Sequence, residues 1–322
     1  MPTCRHIAII AFDGVQVLDV TGPAGVFAAA SEAAGGGSYR VAILSPGGGP
    51  VTSGSGVRLL TDPVGEADPA SFDTVLVAGG SKRGLGALAQ DTRFARWLAS
   101  ACGQARRYGS VCTGVFALAY LGLIHTQRVA THWEGTALLA RRYPALEVDA
   151  DALYVEDGRV WTSAGVTTGI DMCMAMVARD LGESVANAVA RMLVVYARRP
   201  GYQSQFSPVL GAQSRGAGGF AALLDWIGEH LHQDLDVARL AEQAGMSPRS
   251  FHRKFTEATG ETPARLLETM RLDRARALLG TAASLKEIAA HTGYATPGQL
   301  SKAFVRRFGS TPALFRAMHR PA

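Results

Sequence analysis

The sequence predicts two domains of different class: an α/β domain built on a parallel sheet with helices on both faces, then an all-α domain with two helix-turn-helix units. Three observations carry this prediction. From residue 1 to about 198, short apolar β-rich runs alternate with helical stretches, and strands that are apolar throughout belong to a sheet covered on both faces. After about residue 240 one small helical unit is written twice: Ser247 and Thr296, Phe255 and Phe304, Gly260 and Gly309, Thr262 and Thr311 all stand 49 residues apart. A fixed offset is the mark of an internal repeat. Between the two regions lie Pro200, Gly201, Gly211 and the run Ser214-Arg215-Gly216-Ala217-Gly218-Gly219, the composition of a flexible joint. The domains are therefore expected at 1–198 and 218–322, with 199–217 as linker.

Length and composition agree. A chain of 322 residues implies about two domains, and 48% hydrophobic with 18% charged residues is ordinary for a globular protein. The net charge is +5, and from residue 218 onward there are 14 Lys+Arg against 10 Asp+Glu. Most of the basic excess thus sits in the last third, as a nucleic-acid partner requires. Cys4, Cys102, Cys112 and Cys173 show neither C-x-x-C metal spacing nor a disulfide framework. No metal or cofactor is expected, and a reducing cytoplasm fits.

In chain order, strands are expected at His6–Phe12, Tyr39–Ser45, Thr74–Ala78, Ser110–Val111, Ala130 with Thr131, and Val160–Ala164, and helices near 22–33, 90–106, 114–122, 134–141 and 169–180. The opening run Ile7–Phe12 passes straight into Asp13-Gly14 with no cleavage site, which reads as a strand rather than a signal peptide. Arg107 to Arg128 is uncharged for nearly a transmembrane length, but Gly109, Ser110, Thr113, Gly114 and Gly122 interrupt it. A strand, a tight turn and a buried helix explain it better.

Ligands of such sheets bind beyond the carboxyl ends of the strands. Asp19, Gly79-Gly80, Cys112 and His132 fall there. Cys112-Thr113-Gly114 turns a strand sharply into a helix, in the manner of a nucleophile elbow, and a helix N-terminus favours the thiolate. The backbone N–H groups of Thr113 and Gly80 are candidates for an oxyanion-binding pair, and Asp19 for sharing a proton with the thiol or orienting it. Singly, each has a plainer explanation: a small buried thiol, glycines that only turn the chain, a capping aspartate, a core histidine. Together, at successive strand ends, they favour a pocket.

This set resembles the PfpI-like family within the class I glutamine amidotransferase-like superfamily over roughly residues 4–185. The landmarks are Phe12-Asp13-Gly14 through Asp19 and Gly22-Pro23, Ala78-Gly79-Gly80, Cys112-Thr113-Gly114, Thr131-His132-Trp133 and Thr162-Ser163-Ala164-Gly165. The resemblance implies a flavodoxin-like fold, with Cys112 at the nucleophile position and His132 near the thiol. Asp19 is then the acidic partner of the isonitrile hydratase-like branch, where other branches carry glutamate. Gly79, Gly80, Thr113 and Gly165 would line the ligand site.

In the repeat, each Ser/Thr-Pro pair marks a helix start, because the hydroxyl accepts from an orphan N–H and proline sits where no donor is needed. Apolar helices Val237–Ala244 and Leu285–Thr292 precede Gly245 and Gly293, so each copy reads helix, turn, helix. Phe251 and Phe255 face the core, leaving Arg249, His252 and Arg253 outside. In the second copy Leu300 and Phe304 turn inward and Gln299, Ser301 and Lys302 outward, with Arg306 and Arg307 as phosphate partners. Ala264–Leu279 makes a spacer of roughly 24 Å, compatible with two recognition helices in major-groove segments about 34 Å apart.

Residues 218–320 resemble the paired helix-turn-helix domain of AraC-type regulators, down to Gly309-Ser310-Thr311-Pro312 after a phenylalanine. Gly298 stands where a larger polar residue often sits in that family. The whole layout is similar to that of the GlxA family of regulators. It implies a sequence-specific transcription factor rather than an enzyme, with promoter DNA, a small-molecule effector and RNA polymerase as partners, and a homodimer formed through the amino-terminal domain, away from any membrane. Relatives suggest arginine, glycine betaine-like or carnitine-like effectors. Two other readings stay open: a hydratase or hydrolase acting through Cys112, and a thiol sensor of electrophiles.

Overall fold

A computed structural model describes residues 4–195, 198–199, 201, 205, 217–308 and 311–318. The chain divides into two compact units, Met1–Gln205 and Phe206–Ala322. The first unit reaches past residue 198 because backbone N–H groups of Leu153 and Tyr154 donate to Gly201 O, at 2.6 and 3.2 Å, and Gln205 Nε2 donates to Thr131 O and Ala152 O. The start of the glycine-rich joint is thus tied to that unit. Pro200, Gly211, Ser214, Arg215 and Gly216 lie outside the described residues.

The first unit contains β1 (Arg5–Ile10), α1 (Val17–Ala33), β2 (Tyr39–Ser45), β3 (Gly49–Thr52), β4 (Arg58–Pro63), β5 (Thr74–Val77), α2 (Lys82–Gln90), α3 (Thr92–Gln104), β6 (Arg107–Val111), α4 (Val115–Tyr120), β7 (Arg128–Val129), α5 (Trp133–Arg142), β8 (Glu147–Val148), β9 (Tyr154–Asp157), β10 (Val160–Ser163), α6 (Thr167–Leu181) and α7 (Glu183–Met192). The main sheet has the order β3-β4-β2-β1-β5-β6-β10-β9. It is parallel from β4 to β10 and antiparallel only at the two edges, β3 and β9. α1, α6 and α7 pack together, and α2, α3 and α4 make the other helical layer. Ile7–Ile10, Thr74–Val77 and Val160–Ser163 are buried on both sides, which is why the inner strands read as unbroken apolar runs.

Three expectations change. The strand expected at Ala130 and Thr131 is not in the main sheet; β7 ends at Val129 and pairs with β8 in a separate ribbon, while Ala130 N–H donates to Thr162 Oγ1 at 2.8 Å. The first helix begins at Val17, before the expected residue 22, and runs through Pro23. Gly22-Pro23 resembles a first-turn signal, yet the preceding turn is held by burial of Asp19 and Val20. Third, the edge strands β3 and β9, the inner strand β4 and the helices α2 and α7 join the expected set.

At the amino-terminal end of β6, Asp180 binds the sheet together. It accepts from Arg107 at 2.6 and 3.2 Å, from Arg106 at 2.9 Å and from Tyr39 Oη at 2.8 Å. These guanidinium groups hold its carboxyl below the usual range, against the cost of burial. This network closes one end of β6 and leaves the other end for chemistry.

The second unit contains α8 (Ala221–Glu229), α9 (Val237–Gln243), α10 (Pro248–Thr259), α11 (Pro263–Leu279), α12 (Leu285–His291), α13 (Pro297–Phe308) and α14 (Pro312–Met318). All four Ser/Thr-Pro helix starts are present. Ser247, Thr262, Thr296 and Thr311 accept from the N–H of Ser250, Arg265, Gln299 and Leu314 at 3.4, 3.4, 3.2 and 3.2 Å. The turns place Gly245 and Gly293 at φ of +65° and +72°. Phe251 and Phe255 join Phe220, Leu224, Ile227 and Leu240 in a first core, to which α11 adds Leu266, Leu267 and Met270. The other half of α11 buries Leu272, Ala275 and Leu279 and packs against α12, α13 and α14. A Cβ on Gly293 would lie 2.2 Å from Leu231 O and 2.6 Å from Arg271 Nη2, so the second turn is pressed onto the segment after α8 and onto α11. Among the described residues, no helix is long and apolar enough to cross a membrane.

Candidate functional site

Two constellations concentrate the chemistry, one in each unit. In the first, β6 ends in extended Val111 and the chain reverses at Cys112, whose φ is +58°. A non-glycine residue rarely adopts that conformation. Thr131 Oγ1 supports it by donating to Cys112 O at 3.0 Å. Gly165 makes the elbow possible: at φ +101° it lies so close that a Cβ would sit 2.2 Å from Cys112 Cβ and 2.8 Å from its Sγ. A Cβ on Gly79 would meet Cys112 Cβ at 2.7 Å and Asp19 Oδ2 at 2.8 Å.

Asp19 sits in the first turn of α1, fully buried. Its Oδ2 accepts from Gly79 N–H at 3.1 Å and its Oδ1 from Val166 N–H at 2.8 Å. Burial raises its pKa from 3.8 to about 6, with these two donors and the Cys112 thiol pulling the other way. Cys112 is pushed from 9.0 up to about 12, by burial first and by the charge of Asp19 second; the N–H and hydroxyl of Thr113 oppose the rise without cancelling it. That direction runs against the thiolate stabilisation expected at the helix N-terminus, because burial and then the Asp19 carboxylate both oppose the charged form.

The expected oxyanion-binding pair is also absent in that form. Gly80 N–H donates to Thr113 Oγ1 at 3.0 Å and is occupied. His132 precedes α5 instead of ending a sheet strand; its ring is tilted over Trp133, with ring centroids 5.5 Å apart. Among the described residues no hydrogen bond joins it to Cys112. Asp19, Gly79, Thr113 and Gly165 are thus brought around Cys112, Gly80 stands one hydrogen bond away through Thr113, and His132 is reached only through its neighbour Thr131. Sequence reasoning missed Val166, whose φ is +50°; only its position after Gly165 hinted at a role. Among the described residues no cluster of His, Cys, Asp or Glu is arranged to hold a metal.

In the second unit, Arg249, His252 and Arg253 are exposed on α10, opposite fully buried Phe251 and Phe255. Arg253 pairs with Glu257 one turn on, at 3.1 Å. On α13, Gln299 and Lys302 are exposed and Ser301 is half-buried, opposite Leu300 and Phe304. Arg306 is exposed but held by Glu268 of α11. The expected free phosphate partner is therefore engaged within the protein, by an acid 38 residues away that no local pattern reveals. Arg307 lies over the Phe308 ring, 5.7 Å from its centroid.

The DJ-1/PfpI family model matches residues 5–179, and a helix-turn-helix domain model matches residues 240–318. The chain is 31% identical over 289 residues to the HTH-type transcriptional regulator GlxA of Rhizobium meliloti, covering 86% of this chain and 85% of that regulator. It is 32% identical over 200 residues to isonitrile hydratase of Pseudomonas putida, covering 82% of the hydratase but only 62% of this chain. Among solved structures, a ThiJ/PfpI family protein from Pseudomonas syringae shares the fold with a TM-score of 0.56 and 24% identity, over 71% of this chain and 88% of that one.

Proposed function

The chain belongs to the DJ-1/PfpI family as an AraC-type helix-turn-helix regulator with a PfpI-like domain, and on that premise we propose that both repeats grip one promoter duplex under the control of a small metabolite held at the Cys112 pocket. The observation that carries the DNA half is the duplication itself: two helices, each capped at its start, with an apolar side buried and an exposed polar side opposite. Arg249, His252 and Arg253 of one, and Gln299 and Lys302 of the other, meet base edges; Arg307 meets the backbone. Arg306 positions α13 through Glu268.

Two facts favour ligand binding over turnover at the pocket. GlxA, aligned over most of the chain, is a transcriptional regulator, whereas the hydratase aligns with less of it. The Cys112 thiol, pushed up to about 12, offers little thiolate at neutral pH. A homodimer formed through the first unit and a contact with RNA polymerase complete the proposal.

Fluorescence anisotropy of the full chain with duplexes from its own upstream region tests the first half. Affinity falls steeply as salt rises, and Arg253→Ala with Lys302→Ala lose selectivity between promoter and random duplex while remaining folded. Unchanged selectivity refutes the assignment. For the second half, a thermal-shift screen of metabolites against the full chain finds a ligand that raises Tm by mass action. A screen in which no metabolite raises Tm overturns this half of the proposal.

A further inference from the structure

The 49-residue offset pairs exposed Arg249, Arg253 and Glu257 of α10 with Gly298, Lys302 and Arg306 of α13, and half-buried Thr256 with Val305. On α13, Gly298, Lys302 and Val305 are spaced four and three residues apart, so they form one stripe. The buried stripe of Leu300, Ala303 and Phe304 lies on the other side. Val305 is 40% exposed. A branched apolar residue gains nothing from water there and lowers helix propensity.

Two neighbours leave Val305 uncovered. Arg306, the next residue, has its guanidinium tethered to Glu268 on α11. A Cβ on Gly298 would meet only Thr296 Oγ1, at 3.8 Å, so the start of the stripe offers a bare backbone where the first copy presents Arg249. The tip of α13 is therefore low, with one cation and one apolar side chain, whereas the tip of α10 is tall and basic.

The major groove shows a single apolar feature, the C5 methyl of thymine. We infer that Val305 is a specificity-determining residue that packs on a thymine methyl in the half-site taken by the second copy, with Gly298 giving the clearance that seats α13 deeply enough. The inference rests on the DNA-binding reading above. It makes the two half-sites chemically unlike: purine-directed hydrogen bonds under α10, and a methyl contact beside Lys302 under α13.

The experiment begins with selection of duplexes from a random pool by the full chain. Each thymine of the enriched site is then replaced singly by uracil, which removes only the methyl, and affinity is measured for the wild type and for Val305→Ala. Alanine at an exposed helix position preserves folding, checked by thermal melting. One position at which uracil weakens the wild type about three- to fourfold, as one buried methyl should, and leaves Val305→Ala unaffected, supports the inference. A flat uracil scan, or equal losses in both proteins, overturns it and leaves the regulator reading standing. Unaltered DNA affinity of Val305→Ala, joined to weaker transcription with purified polymerase, would make this a protein-contact face and also overturn it. If no sequence is enriched at all, the DNA-binding reading fails and the inference falls with it.

Discussion

Alkylation of Cys112 is the sharpest check on the pocket. A rise from 9.0 to about 12 cuts the thiolate fraction at pH 7 about a thousandfold. Intrinsic nucleophilicity grows with basicity, at a Brønsted slope of about 0.4–0.5, and returns roughly twentyfold. Net reaction with iodoacetamide should therefore run about fiftyfold slower than for an ordinary exposed thiol, before any shielding by the pocket. Cys4 is exposed and provides an internal reference in the same peptide digest. The rate should climb about tenfold per pH unit beyond pH 10 without a plateau. Asp19→Asn should move that profile to lower pH, because the charge opposing the thiolate is gone; a purely steric shield would lower the rate at every pH and leave the profile in place. Cys112 reacting as fast as Cys4 at pH 7, or a plateau below pH 8, refutes the reasoning and reopens the nucleophile and sensor readings.

Other outcomes follow from the same geometry. Gly165→Ala places a Cβ 2.2 Å from Cys112 Cβ at φ +101°, so a loss of about 3 kcal/mol or more is expected in urea unfolding; a loss under 1 kcal/mol would mean the elbow relaxes freely. Asp19 holds its proton to about pH 6 when folded, against 3.8 unfolded. Its contribution to stability is therefore full below about pH 4 and is lost by about pH 6, some 3 kcal/mol in all. Asp19→Asn should flatten that part of the pH–stability curve, and an unchanged slope would assign it elsewhere. Ser247→Ala and Thr296→Ala each remove a cap and should cost about 1 kcal/mol in thermal unfolding. Glu268→Gln releases Arg306, so the slope of log affinity against log salt should steepen by about 0.9; an identical slope would show that Arg306 gains no phosphate.

Much of this architecture was legible because it is written locally. The four Ser/Thr-Pro starts hold because capping is decided within three residues, and the buried faces of α10 and α13 follow from apolar residues four apart, Phe251 with Phe255 and Leu300 with Phe304. Cys112-Thr113-Gly114 announced a turn because a β-rich run ended there. What was hidden is non-local. The direction of the Cys112 shift depends first on burial that no window shows and then on Asp19, 93 positions earlier. Gly80 N–H is spent on a hydroxyl 33 residues away, and Glu268 claims Arg306 across two helices. Pro23 misled because proline usually marks a helix start, whereas packing here carries α1 through it. The edge strands β3 and β9 are four residues long, too short to show the period of two on which a strand reading depends.

Because α11 lends half its length to each core, it sets the distance between the two copies that the proposal makes reading heads. One residue added to it would advance the second head by about 1.5 Å and swing it about 100° around the axis, carrying it off the face of the duplex that the first head holds. On the proposed reading, the promoters keep one separation between their two recognition segments, and divergence among them falls within each segment.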